Sequence, residues 1–290
     1  MKRGLGLLSM VVKENGVPGG FARRPEPSSA MDTPDQVSAF DSQAAHDGPM
    51  AAVYYLTALA CSRLTPRGGL LVDLGCGPGR FAAFLAGLRR DIRIVGYDLS
   101  PLMVETGNAS LRAAGLADRV QLRQGDMTSF AAQMPGDADL INCLFAMHHL
   151  PSIDEVKQCI EQMRRAEELS GAGFLILDLV RPRHLSTAES YPKVFMPDAP
   201  SVFQVDTTNS LIAAYGHAEI KAAVDAEFRP GAVRSVRSRV LPLYQAFWRG
   251  KANTDEDIRQ TVDTVRTEPL SRTARLQLRA LRWILPGFPG

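Results

Sequence analysis

A glycine-rich turn between a predicted strand and a predicted helix constrains this chain more than any other feature. The turn, Asp73-Leu74-Gly75-Cys76-Gly77-Pro78-Gly79, follows an apolar run at 70–72 and precedes a helical pattern that begins at Phe81. Glycine lacks a Cβ, so the chain can turn sharply and a ligand can approach its backbone closely. The N-terminus of the following helix presents free N–H groups and a partial positive charge. This order of elements is typical of a βαβ unit that binds a nucleoside cofactor.

The spacing of the three glycines narrows the class of cofactor. Gly75, Gly77 and Gly79 follow the pattern G-x-G-x-G, whereas the dinucleotide fingerprint is G-x-G-x-x-G. No Gly-Lys-Ser/Thr follows, and Pro78 lies inside the turn, which disfavours a phosphate-binding P-loop. The turn therefore argues against NAD, FAD and nucleoside triphosphates. A tight turn without a ligand is the alternative.

An acidic residue ends the next predicted strand. Asp98 follows the β-branched run at 92–97 and lies 23 residues after Gly75. In a βαβ unit an acid at this place accepts hydrogen bonds from the ribose hydroxyls. Ser100 and Pro101 are suited to begin the following helix, so Asp98 is not needed as its cap.

Polar residues follow two further predicted strands. Asp126 stands in a Gly-Asp pair after the strand at 119–124, where its carboxylate is placed to accept a hydrogen bond from an adenine amino group. Asn142 lies in the buried-looking strand at 138–144 and is expected to reach the same rim of the sheet.

Together these residues resemble the class I S-adenosylmethionine (SAM)-dependent methyltransferases, over about residues 33–250. Two later segments, 178–182 and 209–215, resemble a bacterial small-molecule subgroup, although Thr207-Thr208 replace the aromatic pair of that subgroup. The resemblance implies that SAM is the cofactor. It implies a cofactor-binding set of Asp73, Gly75, Cys76, Gly77, Gly79, Asp98, Leu99, Asp126, Met127 and Asn142.

The alternation of predicted elements indicates an α/β fold. Helices are predicted near 34–45, 48–63, 79–89, 101–114 and 153–168, strands near 69–74, 92–98, 119–124, 138–144 and 173–179, and a closing hairpin at 233–240 and 243–248. Such alternation predicts a parallel sheet covered on both faces. The expected architecture is a Rossmann-like, seven-stranded, mostly parallel sheet with helices on both faces and an antiparallel final strand.

Three segments divide the chain. Residues 1–30 are expected to be a flexible, dispensable extension, because 16–30 is rich in Gly, Pro, Arg and Ser, and Met31 is a candidate natural start. Residues 31–250 are expected to form the SAM-binding domain, in which 180–215 is an insertion or lid over the acceptor site. Residues 251–290 are expected to be a helical extension.

The C-terminal segment is basic and amphipathic. Residues 229–290 hold 12 Lys and Arg against 5 Asp and Glu, and arginines from 272 to 282 share one helical face. Docking on the domain or on a partner subunit is favoured over binding to a membrane or nucleic acid, and a homodimer through the N- or C-terminal helices is left open. The net charge of +2 argues against a nucleic-acid substrate.

The four cysteines and the hydropathy pattern bear on location and on metals. The cysteines form no C-x-x-C pair, which disfavours a zinc site and a disulfide framework, and no metal site is predicted. No apolar run approaches the ~20 residues of a membrane span. The expected location is the cytoplasm, and the expected partner is a small-molecule substrate.

The sequence indicates the catalytic and substrate-binding residues less specifically than the cofactor-binding residues. The candidate catalytic groups are His184, Tyr191 and Asp178, and the candidate substrate pocket contains His46, His148, Tyr191, Asn209 and Ser210. The His148-His149 pair is favoured as structural or pocket-lining.

Three functions fit the sequence. The favoured one is methyl transfer from SAM to a small-molecule acceptor in a bacterial secondary or specialised pathway. The second is cyclisation of SAM itself with release of methylthioadenosine, as in azetidine-2-carboxylate synthases. The third is a SAM-binding module without turnover.

Overall fold

A seven-stranded mixed sheet forms the centre of the molecule. The computed structural model describes residues 2–27, 50–250 and 270–290. The strand order is β3-β2-β1-β4-β5-β7-β6, with β1 to β5 parallel and β7 antiparallel to both β5 and β6. The strands are β1 (Leu70–Leu74), β2 (Arg93–Asp98), β3 (Val120–Gln124), β4 (Leu140–Leu144), β5 (Gly173–Leu179), β6 (Arg234–Arg237) and β7 (Tyr244–Arg249). The predicted fold class is confirmed.

Helices cover both faces of the sheet. In the described ranges they are α1 (Lys2–Gly16), α2 (Ala51–Leu64), α3 (Arg80–Leu88), α4 (Pro101–Ala113), α5 (Ile153–Ser170), α6 (Leu185–Phe195), α7 (Ser201–Ala213), α8 (His217–Glu227) and α9 (Arg272–Ile284). One buried cluster packs α2, α3 and α9 against the sheet, and a second packs α5 and α8 against the opposite face.

Local signals in the sequence explain where two of these helices begin. Ser100 caps α4 by accepting a hydrogen bond from the Met103 N–H, and Pro101 occupies its first position. Ser152 and Glu155 form a reciprocal capping box at the start of α5. The predicted helix at 34–45 lies outside the described residues.

The strand order places a crevice above β1 and β4. β1 pairs with β2 on one side and with β4 on the other, so the connections from their carboxyl ends leave in opposite directions. Open α/β sheets bind ligands at such a switch point. Phe145, directly after β4, has a left-handed φ of 52°, and a strained non-glycine backbone is typical of functional sites.

The N-terminal segment differs from the flexible extension that its composition predicted. Residues 2–16 form α1, which packs on α6 and buries Met10. The Glu14 carboxylate accepts hydrogen bonds from the backbone N–H groups of Arg183 and His184, at 2.8 and 3.1 Å. Because those N–H groups precede α6, Glu14 supplies their acceptor and ties the two helices together.

The C-terminal helix packs on its own chain, which is one of the two docking modes that the amphipathic pattern left open. Ala274 and Leu278 of α9 are buried in the same cluster as α2. Beyond the helix, the Phe288 ring meets Trp248 of β7 edge-on, with centroids 5.8 Å apart. No helix within the three described ranges is long and apolar enough to cross a membrane.

Candidate functional site

A cavity of about 820 Å³ opens at the carboxyl ends of β1, β2 and β4. The glycine turn forms its floor and apolar side chains form much of its wall. Its lining comprises Tyr54, Asp73, Gly75, Cys76, Gly77, Phe81, Asp98, Leu99, Met103, Met127, Leu144, Phe145, Ala146 and His149. Seven of the ten predicted cofactor residues are in this set, and the apolar wall from α2, α3 and α4 was not predicted.

The turn requires glycine for two physical reasons. Gly75, Gly77 and Gly79 all have positive φ, at 63°, 52° and 73°, a conformation that costs other residues energy. A Cβ on Gly75 would also overlap the Cβ of Ala146 across the cavity floor. Gly79 forms the N-cap of α3 and lies outside the cavity lining.

Asp98 holds the glycine turn and faces the cavity. One carboxylate oxygen accepts from the Gly77 N–H at 2.7 Å, and the other accepts from the Ser100 N–H at 3.0 Å. These two bonds orient the Asp98 carboxylate, which lines the cavity. The predicted ribose-binding position is thus built into the turn.

A second cavity of about 560 Å³ continues from the first. The two share Gly75, Asp98, Leu99, Met127 and His149. Asp126 lies in the lining of the second one, and its Oδ1 accepts from the backbone N–H and the hydroxyl of Thr128, both at 2.7 Å. A long ligand can therefore extend from the glycine turn past Asp98 to Asp126.

Asn142 lies below the cavity, contrary to the prediction that it reaches the rim. It pairs in register with Asp73 inside the sheet and is fully buried. Its amide donates to Asp73 Oδ1 at 2.7 Å, so it supports Asp73 from behind. The rim is formed two residues later, by Leu144 and Phe145.

Asp73 is a buried carboxyl at the bottom of the cavity. Burial raises its pKa to about 7, and the negative charge of Asp98 adds to the effect, although the hydrogen bond from Asn142 opposes it. A cation bound in the cavity would favour the ionised form.

Asp178, a predicted catalytic group, is directed at His148 and away from the cavity. Its Oδ1 lies 2.6 Å from His148 Nδ1, and its Oδ2 accepts from the His148 backbone N–H at 3.0 Å. Both side chains are buried. Burial lowers the pKa of His148, but the Asp178 carboxylate outweighs it and the net shift is upward. Asp178 therefore fixes the orientation of the His148 imidazole.

Glu26 brings the N-terminal segment to the His148-His149 pair. Its Oε2 lies 2.9 Å from His149 Nδ1, and its Oε1 lies 3.8 Å from His148 Nε2. Ser210 donates its hydroxyl to Glu26 Oε1 at 2.6 Å. Burial opposes ionisation of Glu26, but the hydrogen bond from His149 and the charges of both histidines bring its pKa down to about 2.

Arg23 anchors the segment that carries Glu26. Its guanidinium donates to the backbone carbonyls of Ala213, Pro151, His148 and Leu150 at 2.6 to 3.0 Å. It also stacks over the Tyr215 ring, 3.9 Å from the centroid. No local pattern in 16–30 indicates these contacts, which join residues more than 120 positions apart.

The other predicted chemical residues lie away from the cavity lining. His184 packs on the N-terminal segment, with Nε2 3.3 Å from the Val17 carbonyl oxygen. Tyr191 is buried between helices, and its hydroxyl lies 3.2 Å from that of Tyr244. Asn209 is half-buried on α7, and His46 lies outside the described residues. His149, favoured only as structural or pocket-lining, is the histidine that lines both cavities.

Comparison with known proteins agrees with the geometry. Residues 71–171 match the family model described as a methyltransferase domain. The match assigns a methyltransferase domain to these residues of the chain. The matched region begins in β1 and ends after α5, so it includes the glycine turn, Asp98 and the His148-His149 pair.

Curated relatives match this chain in part. The erythromycin 3''-O-methyltransferase of Saccharopolyspora erythraea is 25% identical over 195 residues, 67% of this chain and 61% of that protein. The ubiquinone biosynthesis O-methyltransferase of Xanthomonas axonopodis pv. citri is 27% identical over 109 residues, 36% of this chain and 44% of that protein. The chain thus spans less than two thirds of the length of either relative.

Solved structures share the fold at low sequence identity. The plantazolicin methyltransferase BpumL in complex with SAH superimposes with a TM-score of 0.57 at 12% identity, covering 87% of this chain and 100% of that one. A SAM-dependent methyltransferase from Aquifex aeolicus gives 0.51 at 15% identity, covering 74% and 97%.

Proposed function

We propose that this protein is a methyltransferase that transfers the methyl group of SAM to a hydroxyl of a small-molecule acceptor, in a bacterial secondary or specialised pathway. The observation that carries the proposal is the continuous cavity from the glycine turn past Asp98 to Asp126, with His149 in its wall. The names of the erythromycin and ubiquinone relatives support oxygen as the acceptor atom.

The order of the cofactor residues along the cavity fits one orientation of SAM. Close backbone approach at Gly75 and Gly77 suits the methionine part, Asp98 suits the ribose hydroxyls, and Asp126 suits the adenine amino group. Asp73 lies beneath the methionine end, where its carboxyl can balance a cation. Residues 31–250 are proposed as the catalytic domain, and α6 with α7 as the cover of the acceptor side.

The acceptor is proposed to enter beside Phe145 and His149. Transfer requires an in-line approach of the acceptor oxygen to the methyl carbon and exclusion of water. The apolar side chains of Tyr54, Phe81 and Phe145 provide the dry wall. A hydroxyl acceptor must also lose its proton, and the ionisable pair at this end of the cavity is His149 with Glu26.

The adenosyl product distinguishes the proposed reaction from its alternatives. The protein is incubated with SAM alone and then with SAM and a bacterial metabolite extract. S-adenosylhomocysteine formed only with the extract, together with a product heavier by one methyl group, supports the proposal. Methylthioadenosine formed from SAM alone would replace it with intramolecular cyclisation, and SAM binding with neither product would indicate a binding module.

Replacement of Asp98 by alanine is expected to weaken SAM binding by about 1.5–3 kcal/mol, the range for hydrogen bonds to a charged group. The variant removes the ribose acceptor and the bond that holds Gly77. Isothermal titration calorimetry measures the change, and Asp118→Ala, at an exposed acid before β3, serves as the matched control. Equal SAM affinity in the two variants would show that Asp98 does not bind the ribose.

SAM affinity is expected to rise as the pH passes through about 7, by up to about tenfold per pH unit below the pKa of Asp73. The pKa of the Asp73 carboxyl is raised in the folded protein, so this carboxyl is protonated and neutral at low pH. As the pH rises it becomes an anion, which attracts the cationic cofactor. Binding should then release a proton, which calorimetry in buffers of different ionisation enthalpy detects. Asp73→Asn should flatten the profile, and a profile unchanged by that substitution would contradict the assignment.

A further inference from the structure

Three side chains beside the cofactor cavity bring potential metal-ligating atoms together. Glu26, His148 and His149, here called the Glu26 cluster, each offer one ligand atom, and these atoms all lie within 4.8 Å of one another. They come from two parts of the chain, the N-terminal segment and the turn after β4. Two imidazoles and one carboxylate are a donor set that divalent transition metals favour.

The ligand atoms have the spacing that a bound ion needs. Glu26 Oε1 lies 3.8 Å from His148 Nε2, and Glu26 Oε2 lies 2.9 Å from His149 Nδ1. With metal–ligand bonds of about 2.0–2.2 Å, atoms on one ion lie roughly 3–4 Å apart. The two distances run to different oxygens of Glu26, and one ligand atom from each residue lies within 4.8 Å of the others. Side-chain rotation that draws these three atoms inward by about 1 Å would place them around a single ion.

The residues behind the cluster hold its members in place. Asp178 binds His148 Nδ1 at 2.6 Å, which directs Nε2 towards Glu26. A carboxylate on the second ring nitrogen is the usual partner of a metal-binding histidine. Ser210 likewise donates to Glu26 at 2.6 Å, and Arg23 fastens both chain segments through the carbonyls of His148 and Leu150.

Charged groups of both signs surround the cluster. The carboxyls of Asp178 and Asp206 interact with His148, and the Arg23 guanidinium interacts with Glu26. A metal ion binds deprotonated ligands, so it would replace protons on the imidazole nitrogens that face Glu26.

We propose that Glu26, His148 and His149 bind a divalent transition metal ion of the Zn²⁺ or Co²⁺ type at the acceptor side of the cofactor cavity. Nitrogen donors disfavour Mg²⁺ and Ca²⁺, which prefer oxygen. The sequence predicted no metal site because that expectation relied on cysteine spacing, whereas Glu26 is separated from the two adjacent histidines by more than 120 residues. If methyl transfer to a hydroxyl is the reaction, as proposed above, an ion there would lower the pKa of the acceptor hydroxyl and would take the place of His149 and Glu26 as the group that promotes proton loss.

Metal titration of the full chain tests the proposal without reference to methyl transfer. Protein dialysed against chelator is titrated with Zn²⁺ and followed by calorimetry, with Co²⁺ absorption as a report on ligand geometry. Wild type is expected to take up one equivalent and to show a higher Tm with the ion. Asp178→Asn, which leaves all three ligands in place, is expected to weaken binding by about 10–100-fold.

Ligand variants and a matched histidine control complete the test. Glu26→Gln and His149→Ala should lose stoichiometric uptake, whereas His184→Gln, at an imidazole that contacts the same N-terminal segment, should bind as wild type does. SAM affinity and Tm without metal verify folding. Absence of stoichiometric uptake by wild type overturns the proposal whatever the variants do, and so does equal uptake by folded Glu26→Gln and wild type. Both results are independent of whether methyl transfer is detected.

Discussion

Replacement of Gly75 by alanine is expected to destabilise the protein by about 2–5 kcal/mol and to abolish measurable SAM binding. A left-handed backbone costs alanine about 1–2 kcal/mol, and Gly75 has a φ of 63°. The new methyl group would overlap Ala146, and such overpacking costs about 1–3 kcal/mol more. Because Ala146 precedes the turn with His148 and His149, relief of the overlap also displaces the acceptor side. Thermal unfolding and calorimetry measure the two effects.

Gly68 provides a control that separates the two costs. It has a φ of 72°, close to that of Gly75, but a Cβ there would meet no atom within 4 Å. Gly68→Ala should therefore show only the backbone cost, about 1–2 kcal/mol, and unchanged SAM affinity. If the two alanine variants lose the same stability and both retain SAM, the overlap at Ala146 is unimportant and the close-packed floor of the cavity is wrongly described.

The sheet and the cofactor side could be predicted because their signals are local. A strand, a glycine turn and a helix follow one another in the sequence, and the strands from β1 to β5 are parallel, as alternation of strands and helices predicts. Asp98 ends its strand in the sequence and in the structure. The three positive φ values of the turn need glycine, and glycine is what the sequence shows.

The position of Asn142 was predicted incorrectly, although the strand that contains it was predicted correctly. The predicted strand contained Asn142 correctly, but the register pairs it with Asp73, one layer below the rim. The predicted strand ended at 144, as β4 does, so Asn142 stands two residues before the strand end. The polar residue was assigned to the rim, which Leu144 and Phe145 form instead.

The acceptor side could not be predicted because it depends on contacts between distant parts of the chain. The composition of residues 16–30 favoured a flexible segment, yet Arg23 and Glu26 are placed by partners from 148 to 215. Asp178 and His148 were identified as chemically interesting, but the sequence does not show that they bond to each other. Only the tertiary structure brings Asp178, His148 and Glu26 into contact.

Replacement of Arg23 by methionine is expected to destabilise the protein by about 2–4 kcal/mol, because hydrogen bonds from a charged donor contribute about 1.5–3 kcal/mol each and these act as a unit. Methionine keeps the apolar part of the side chain over Tyr215 but leaves four backbone carbonyls without the guanidinium. SAM affinity should change little, because Asp98 is held by the backbone N–H groups of Gly77 and Ser100 and not by Arg23. Methyl transfer should fall, because Glu26 loses its position beside His149.

The neighbouring arginine makes the comparison a matched one. Arg24 is exposed, so Arg24→Met removes the same charge from the same segment without touching the carbonyls, and it should behave as wild type in Tm, SAM affinity and turnover. Equal behaviour of the Arg23 and Arg24 variants would show that the N-terminal segment is a detachable extension. A loss of turnover confined to Arg23→Met, with SAM binding intact, would show that this segment completes the acceptor side of the site.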